Sequence, residues 1–262
     1  FKLGAVPFHM WVPDVYDGAP TSVTAFVGTA PKIAAVVFAF RILVTGMGTI
    51  HSDWAPMLAI LAVASLVVGN LAAIMQTNIK RMLAYSTVSH MGFILLAFMA
   101  GAVGFTAGLY YAITYAVMAA VSFGVLMVLS TKDIECENIK DLAGLNQRHA
   151  WFAFLMLLSM FSMAGIPPLM GFYAKFGVIM ALLKQGHVWL SVFAVIMSLI
   201  GAFYYLRVVK VIYFDAPDHD QPVGSNYAAK FVLTVNAFLL LLWGIMPQTV
   251  IDWCAKALIN TL

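Results

Sequence analysis

Seven apolar runs, near 22–45, 54–76, 82–101, 104–130, 150–183, 188–214 and 228–249, are each about as long as the ~20 residues that carry a helix across hydrocarbon, or longer. Inside a bilayer every backbone N–H and C=O must be satisfied within the protein, which leaves helices or a closed barrel. The runs lack the two-residue alternation of a barrel strand, so the expected fold is all-α, a polytopic transmembrane helix bundle forming a single membrane domain over 1–262. A composition of 63% hydrophobic and 10% charged residues, with a mean hydropathy of +0.95, excludes an ordinary soluble domain. The lipid bilayer is therefore the first partner. A net charge of +3 is too small to argue for nucleic acid. Cys136 and Cys254 stand far apart with no C-x-x-C, so neither a disulfide framework nor a metal site is expected.

One run is interrupted. Met163–Gly177 reads MAGIPPLMGFYAKFG, and Pro167 and Pro168 have no N–H to offer the carbonyls of Met163 and Ala164. Gly165 and Gly171 loosen the backbone on either side, so a break is expected within 150–183. The opening segment, near 1–13, has the same ingredients in Gly4, Pro7 and Pro13, and Pro7 marks a second helix break. Interrupted helices at corresponding places in two halves are the sequence sign of an inverted-repeat transporter with its site near mid-membrane. The chain opens on Phe1 with no signal-peptide pattern, and Phe1–Val12 looks like the end of an apolar helix, so the C-terminal part of a longer protein is expected.

Loop charges set the orientation. If the spans alternate, Lys80, Arg81, Lys132, Lys140, Arg148, Arg207, Lys210 and Lys230 fall on one side and only Arg41, Lys184 and Lys256 on the other. The positive-inside rule makes the first side cytoplasmic and the C-terminus external. Lys2, Lys32 and Lys175 remain, each embedded in an apolar segment without an acid nearby in sequence. A lysine at mid-bilayer costs roughly 3 kcal/mol on the insertion scale, so it needs a partner, water or a neutral state. Burial that lowers its pKa would suit it to proton relay.

His90 and His9 also lie in apolar segments and could titrate near neutral pH, whereas His51, His149, His187 and His219 fall at expected loops and are read as solvated. Tyr85, Ser86, Thr87, Ser89, Thr114, Tyr115 and Ser122 are candidates to hold water, although Ser and Thr also pack membrane helices. Gly104 and Gly108 have the spacing of a packing surface. Trp54, Trp151, Trp189 and Trp243 near span ends suit interfacial anchors. The loop Thr131–His149 is read as a cytoplasmic contact or a solvated connection. No nucleotide fingerprint, hydrolytic triad or iron–sulfur cysteine pattern is present.

Phe1–Thr21 (FKLGAVPFHMWVPDVYDGAPT), Ala30–Ala35 (APKIAA), Asn78–Gly92 (NIKRMLAYSTVSHMG), Ala164–Phe176 (AGIPPLMGFYAKF) and Tyr204–Val208 (YYLRV) closely resemble the subunit N family of bacterial NADH:quinone oxidoreductase, respiratory complex I. The resemblance extends over nearly the whole chain. The wider antiporter-like group includes multisubunit sodium/proton antiporters and membrane-bound hydrogenases, which are the alternative reading.

The resemblance implies a fourteen-helix subunit of two inverted five-helix repeats. In that frame 1–45 ends the first repeat, 54–214 is the second with its broken helix at 150–183, and 228–249 is the final helix. It also implies proton translocation along a row of lysines, driven remotely by quinone reduction. Lys2 would be held protonated by a glutamate of a preceding helix, Lys32 would bridge two half-channels, and Lys175 would pass the proton onward, with His90 as a further relay. Like charges within ~6 Å disfavour one another, which would push a proton along such a row. No cofactor would be bound by this chain, NADH and quinone being used by the whole complex. Its partners would be other membrane subunits, including neighbouring antiporter-like ones, in the bacterial inner membrane.

Overall fold

In the computed structural model, which describes residues 1–130, 135–217 and 227–259, the regular elements are helices, joined by a lone antiparallel bridge between Asn78 and Asn138. An irregular stretch, 1–10, leads into α1 (Trp11–Gly18), α2 (Thr21–Gly28) and α3 (Ala30–Arg41). α4 (His51–Met75), α5 (Ile79–Met99) and α6 (Gly101–Leu129) are long and continuous, and α7 (Leu145–Ala164) is followed by the short α8 (Met170–Lys184). α9 (Val188–Phe214), α10 (Tyr227–Ile245) and α11 (Pro247–Ile259) complete the chain. Among the described residues six segments could cross a membrane by length and composition, and the seventh expected crossing corresponds to the α7–α8 pair.

The bundle is most polar at its centre. α5 has the lowest mean hydropathy of the six candidate spans, 1.5, yet 94% of its window is buried, whereas α4, at 2.4, is only 33% buried. In hydrocarbon a polar helix must be wrapped by others, and the apolar ones can face outward. Small residues allow the wrapping: a Cβ on Gly69 of α4 would lie 2.6 Å from the Ser89 backbone nitrogen, and one on Gly92 of α5 would lie 3.0 Å from the Ala62 carbonyl oxygen. Gly104 and Gly108 likewise meet Ala97, in keeping with a packing surface.

The break expected in 150–183 falls between Ala164 and Met170. Gly165 adopts φ +88°, and its N–H together with that of Ile166 closes the last turn of α7 onto Phe161 and Ser162. This is the way a helix ends on a left-handed glycine. α10 presses on the open turn, since a Cβ at Gly244 would stand 2.1 Å from the Pro168 carbonyl oxygen. Irregular backbone at this depth is thus covered by protein, as hydrocarbon requires.

Several expectations are corrected. Residues 1–10 form successive turns, with Gly4 at φ +78°, instead of the end of a helix. The run 22–45 is interrupted at Thr29, where Pro31 restarts the helix as α3. Proline fits the first turn of a helix because its missing N–H would have no partner there. The apolar run ends at Ile245, and a separate helix, α11, starts at Pro247. Trp54 is buried, with its indole N–H donating to the Met47 carbonyl at 2.9 Å, and His51 is packed edge-on against it instead of being solvated.

One end of the bundle is tied by charge. Arg81 pairs with Asp14 and Asp17 of α1, Lys80 is buried against Glu135, and Lys210 pairs with Asp215. Arg207 donates to the carbonyls of Ile74 and Gln76. Residues 135–142 therefore pack back on the start of α5, through Ile79 N–H to the Glu137 carbonyl and Ile139 N–H to the Thr77 carbonyl. Burial pushes the Cys136 thiol up to about 12. The hydrogen bond from Lys80 holds the Glu135 carboxyl below the usual glutamate range. His219 and Lys132 lie outside the described residues.

Candidate functional site

Two of the three singled-out lysines are buried, and each reaches a broken stretch of backbone. Lys32, 1% exposed, extends from the first turn of α3 to the irregular segment 1–10, where its Nζ donates to the Leu3 carbonyl at 2.7 Å and the Lys2 carbonyl at 3.4 Å. It lies 5.2 Å from the centre of the Trp11 ring, a cation–π arrangement. Lys175, 7% exposed, folds back from α8 to the carbonyl that ends α7, with Nζ 3.0 Å from Ala164 O and 2.9 Å from Ser198 Oγ of α9. The carbonyl left free by the prolines thus becomes the lysine's acceptor. The negative end of the α7 dipole adds to this.

Neither amine has a carboxylate partner among the described residues. That distinction has chemical weight. A lysine in contact with a carboxylate is held protonated, whereas carbonyl acceptors suit both an ammonium and a neutral amine. A serine hydroxyl can accept from the first and donate to the second.

Polar side chains gather between the two amines on α5. His90 Nδ1 meets the Tyr111 hydroxyl of α6 at 2.8 Å and Nε2 meets the Tyr205 hydroxyl of α9 at 3.0 Å. Tyr205 also lies 2.5 Å from Ser86 Oγ and 3.3 Å from the Tyr204 hydroxyl, which donates to Asn70 Oδ1 at 3.1 Å. Asn70 is fixed in turn by its amide, which donates to the Met197 carbonyl at 3.0 Å. A cavity of about 10 Å³ is bordered by Asn70, Ser89, His90, Lys175, Ser198 and Tyr205. That is about the room one water needs, and the wall offers several polar groups to hold it.

The series continues with Thr87 and Tyr115, whose hydroxyls are 2.6 Å apart, the Tyr115 ring centre lying 5.2 Å from that of His90. The Tyr16 hydroxyl is buried with no hydrogen-bond partner among the described residues, facing Gly28 at the end of α2.

Of the residues singled out in sequence, Lys175 and His90 border one cavity, and Lys32 is held instead against the 1–10 segment and Trp11. Lys2 contributes only its carbonyl, its side chain being exposed. Pro7 and the Pro167–Pro168 pair lie in the two irregular stretches that receive the lysines. Thr114 bonds within its own helix and Ser122 pairs with Ser159, both away from the cavity, while His9 is half-buried with Nδ1 unpartnered. Tyr111, Asn70 and Ser198 were missed by sequence reasoning, and Tyr204 and Tyr205 entered only as part of a quoted motif. Their signal lies in α4, α6 and α9 converging on α5. Among the described residues no group of His, Cys, Asp and Glu is arranged to hold a metal ion.

Buried lysines seated on interrupted helices, inside an all-helical membrane bundle, define an antiporter-like membrane subunit. The family model described as NADH:quinone oxidoreductase/Mrp antiporter, TM, matches residues 1–201, and the chain belongs to that family. It is 83% identical over 263 residues to NADH-quinone oxidoreductase subunit N of Neisseria gonorrhoeae, covering 100% of this chain and 55% of the relative. It is 55% identical over 259 residues to the protein of the same name from Thioalkalivibrio sulfidiphilus, covering 98% of this chain and 54% of that one. The chain thus spans about half the length of the curated relatives it matches. Among solved structures, a chain of respiratory complex I from Thermus thermophilus with bound aureothin superposes with TM-score 0.84 at 31% identity, covering 96% of this chain and 55% of that one. A chain of the Mrp complex from a Dietzia species superposes with TM-score 0.88 at 21% identity, covering 98% of this chain and 56% of that one, a likeness of fold.

Proposed function

We propose that this chain forms part of a proton-translocating subunit of a bacterial NADH:quinone oxidoreductase, and that protons pass between Lys32 and Lys175 by way of His90. The observation that carries the reading is the environment of Lys175. A buried amine held by a helix-end carbonyl and a serine hydroxyl, with no carboxylate among the described residues, can both hold and release a proton.

His90 sits between two tyrosine hydroxyls, each able to give or take a hydrogen bond, so either ring nitrogen can carry the proton. A water in the adjoining cavity would span the step from Tyr205 and His90 to Ser198 and Lys175. Lys2 starts the row, facing outward from 1–10 toward a carboxylate of another segment. This chain's role involves no redox group of its own, NADH and quinone being used by the rest of the complex.

The two irregular stretches share a glycine at positive φ followed by proline, Gly4 with Pro7 and Gly165 with Pro167, which supports reading 1–45 and 54–214 as portions of two inverted repeats. The gathering of basic residues at the Arg81–Arg207 end supports a cytoplasmic location for that end and an external C-terminus, in the bacterial inner membrane.

The test is NADH-driven proton uptake by proteoliposomes carrying the intact complex. Lys32→Ala and Lys175→Ala are each expected to lower the proton-to-electron ratio. An unchanged ratio in both variants rejects the assignment. The rival, a multisubunit cation/proton antiporter, predicts sodium-dependent exchange by the purified assembly without any NADH oxidation.

A further inference from the structure

A cavity of about 480 Å³ opens between α6, α8 and α11, on a different side of α8 from Lys175. Its size falls within the range of ligand pockets, and its walls are mostly apolar. Gly177 and Ala107 meet at its wall, a Cβ on the glycine reaching van der Waals contact with that of the alanine at 3.7 Å, and these small residues leave the space beside them open. Four polar side chains, Thr106, Tyr110, Tyr173 and Lys184, break the apolar lining. Tyr110 is 2% exposed, and its hydroxyl is buried with no hydrogen-bond partner among the described residues. Lys184, the last residue of α8, lines the same cavity, and no lining residue is acidic.

We propose that this cavity binds one anionic phospholipid, its acyl chain along the α6–α8 groove and its phosphate on Lys184. Depth argues for a lipid. From Lys184 to Tyr173 along α8 is roughly 16 Å at 1.5 Å per residue, close to half the ~30 Å hydrocarbon thickness, so the groove runs from the membrane surface about one leaflet deep. Polarity argues for the same occupant. An aromatic side chain on a helix leans toward the helix N-terminus, which sets the Tyr110 hydroxyl about one turn nearer the surface than its Cα, at the level of a glycerol ester. An ester carbonyl there would accept the hydrogen bond that Tyr110 finds nowhere among the described residues. A lone cation with no acid beside it favours a headgroup of net negative charge over a zwitterion, whose amine would have no acceptor carboxylate.

Three variants test the site: Lys184→Gln removes the charge, Gly177→Leu fills the groove, and Tyr110→Phe removes only the hydroxyl. The intact membrane complex is stripped with detergent and titrated with dioleoylphosphatidylglycerol or dioleoylphosphatidylcholine, and bound lipid is counted by native mass spectrometry. Wild type is expected to retain one more phosphatidylglycerol than Gly177→Leu, with at least a tenfold weaker affinity in Lys184→Gln and a smaller loss in Tyr110→Phe. Phosphatidylcholine is expected to show no difference among the four proteins. Equal phosphatidylglycerol counts in wild type and all variants overturn the proposal, as does a quinone or a neighbouring polypeptide seen filling the groove in a map of the complex. Equal binding of the two lipids overturns the choice of an anionic headgroup.

Discussion

Lys175 and Tyr205 illustrate how differently two residues of one site declare themselves. A lysine in an apolar run is costly enough that its presence alone points to a function, and both Lys175 and Lys32 were legible for that reason. A tyrosine in a membrane helix carries no such cost. Tyr205 acquires its role only because α9 sets its hydroxyl against His90 and Ser86 of α5, a juxtaposition that no spacing within α9 encodes. Tyr205→Phe leaves a buried imidazole nitrogen and a buried hydroxyl short of a partner, a change of about 1–3 kcal/mol per unsatisfied group. The variant complex is expected to melt at a lower temperature in detergent and to pump more slowly at unchanged NADH oxidation by uncoupled particles. Cys136 provides a simpler check. Burial holds its thiol protonated at neutral pH, with a pKa of about 12, so a maleimide at pH 7 is expected to leave it unlabelled in the folded protein and to modify it after denaturation.

The broken pair α7–α8 is the element on which Lys175 depends. Its break was legible because two adjacent prolines cannot continue a helix. The interruption at Thr29 was not, because Pro31 is as suited to starting a helix as to ending one and the apolar run passes through it unchanged. α11 was hidden for a similar reason, the last span having been read as running to 249, through the proline at which α11 begins. Alanine at Gly165 must adopt φ +88°, a left-handed conformation that costs roughly 1–2 kcal/mol. Gly244→Leu drives a side chain into the Pro168 carbonyl and is expected to be the more severe of the two. Thermal melting of the purified complex, with the yield of assembled complex alongside it, separates the two effects.

Across the whole molecule, the charged end fastens α1, α5, the 135–142 segment and α9 into one layer. The basic residues that gave the orientation were plain in the sequence, but their acidic partners lie far away along the chain: Arg81 meets Asp14 and Asp17, and Lys80 meets Glu135. Glu135 has its pKa depressed, by the hydrogen bond from Lys80 first. Its contribution is therefore complete above the ordinary glutamate value of 4.5 and is lost as the pH falls through the lower, folded value. The melting temperature is expected to drop on acidification through that window, and Glu135→Gln should flatten the dependence. A slope unchanged by the substitution would assign the acid sensitivity to other carboxylates.

Asn70 has one more consequence. Its amide nitrogen is committed to the Met197 carbonyl, so its oxygen can only accept, and the Tyr204 proton that points at it cannot be turned around without breaking that pair. The hydroxyl proton of Tyr204 lies between Asn70 Oδ1 at 3.1 Å and the Tyr205 oxygen at 3.3 Å. The branch through Tyr204 ends at an amide that does not titrate, and would be a closed side arm of the proposed route through His90. A neutral amide that never changes protonation would in this way close one exit from the path.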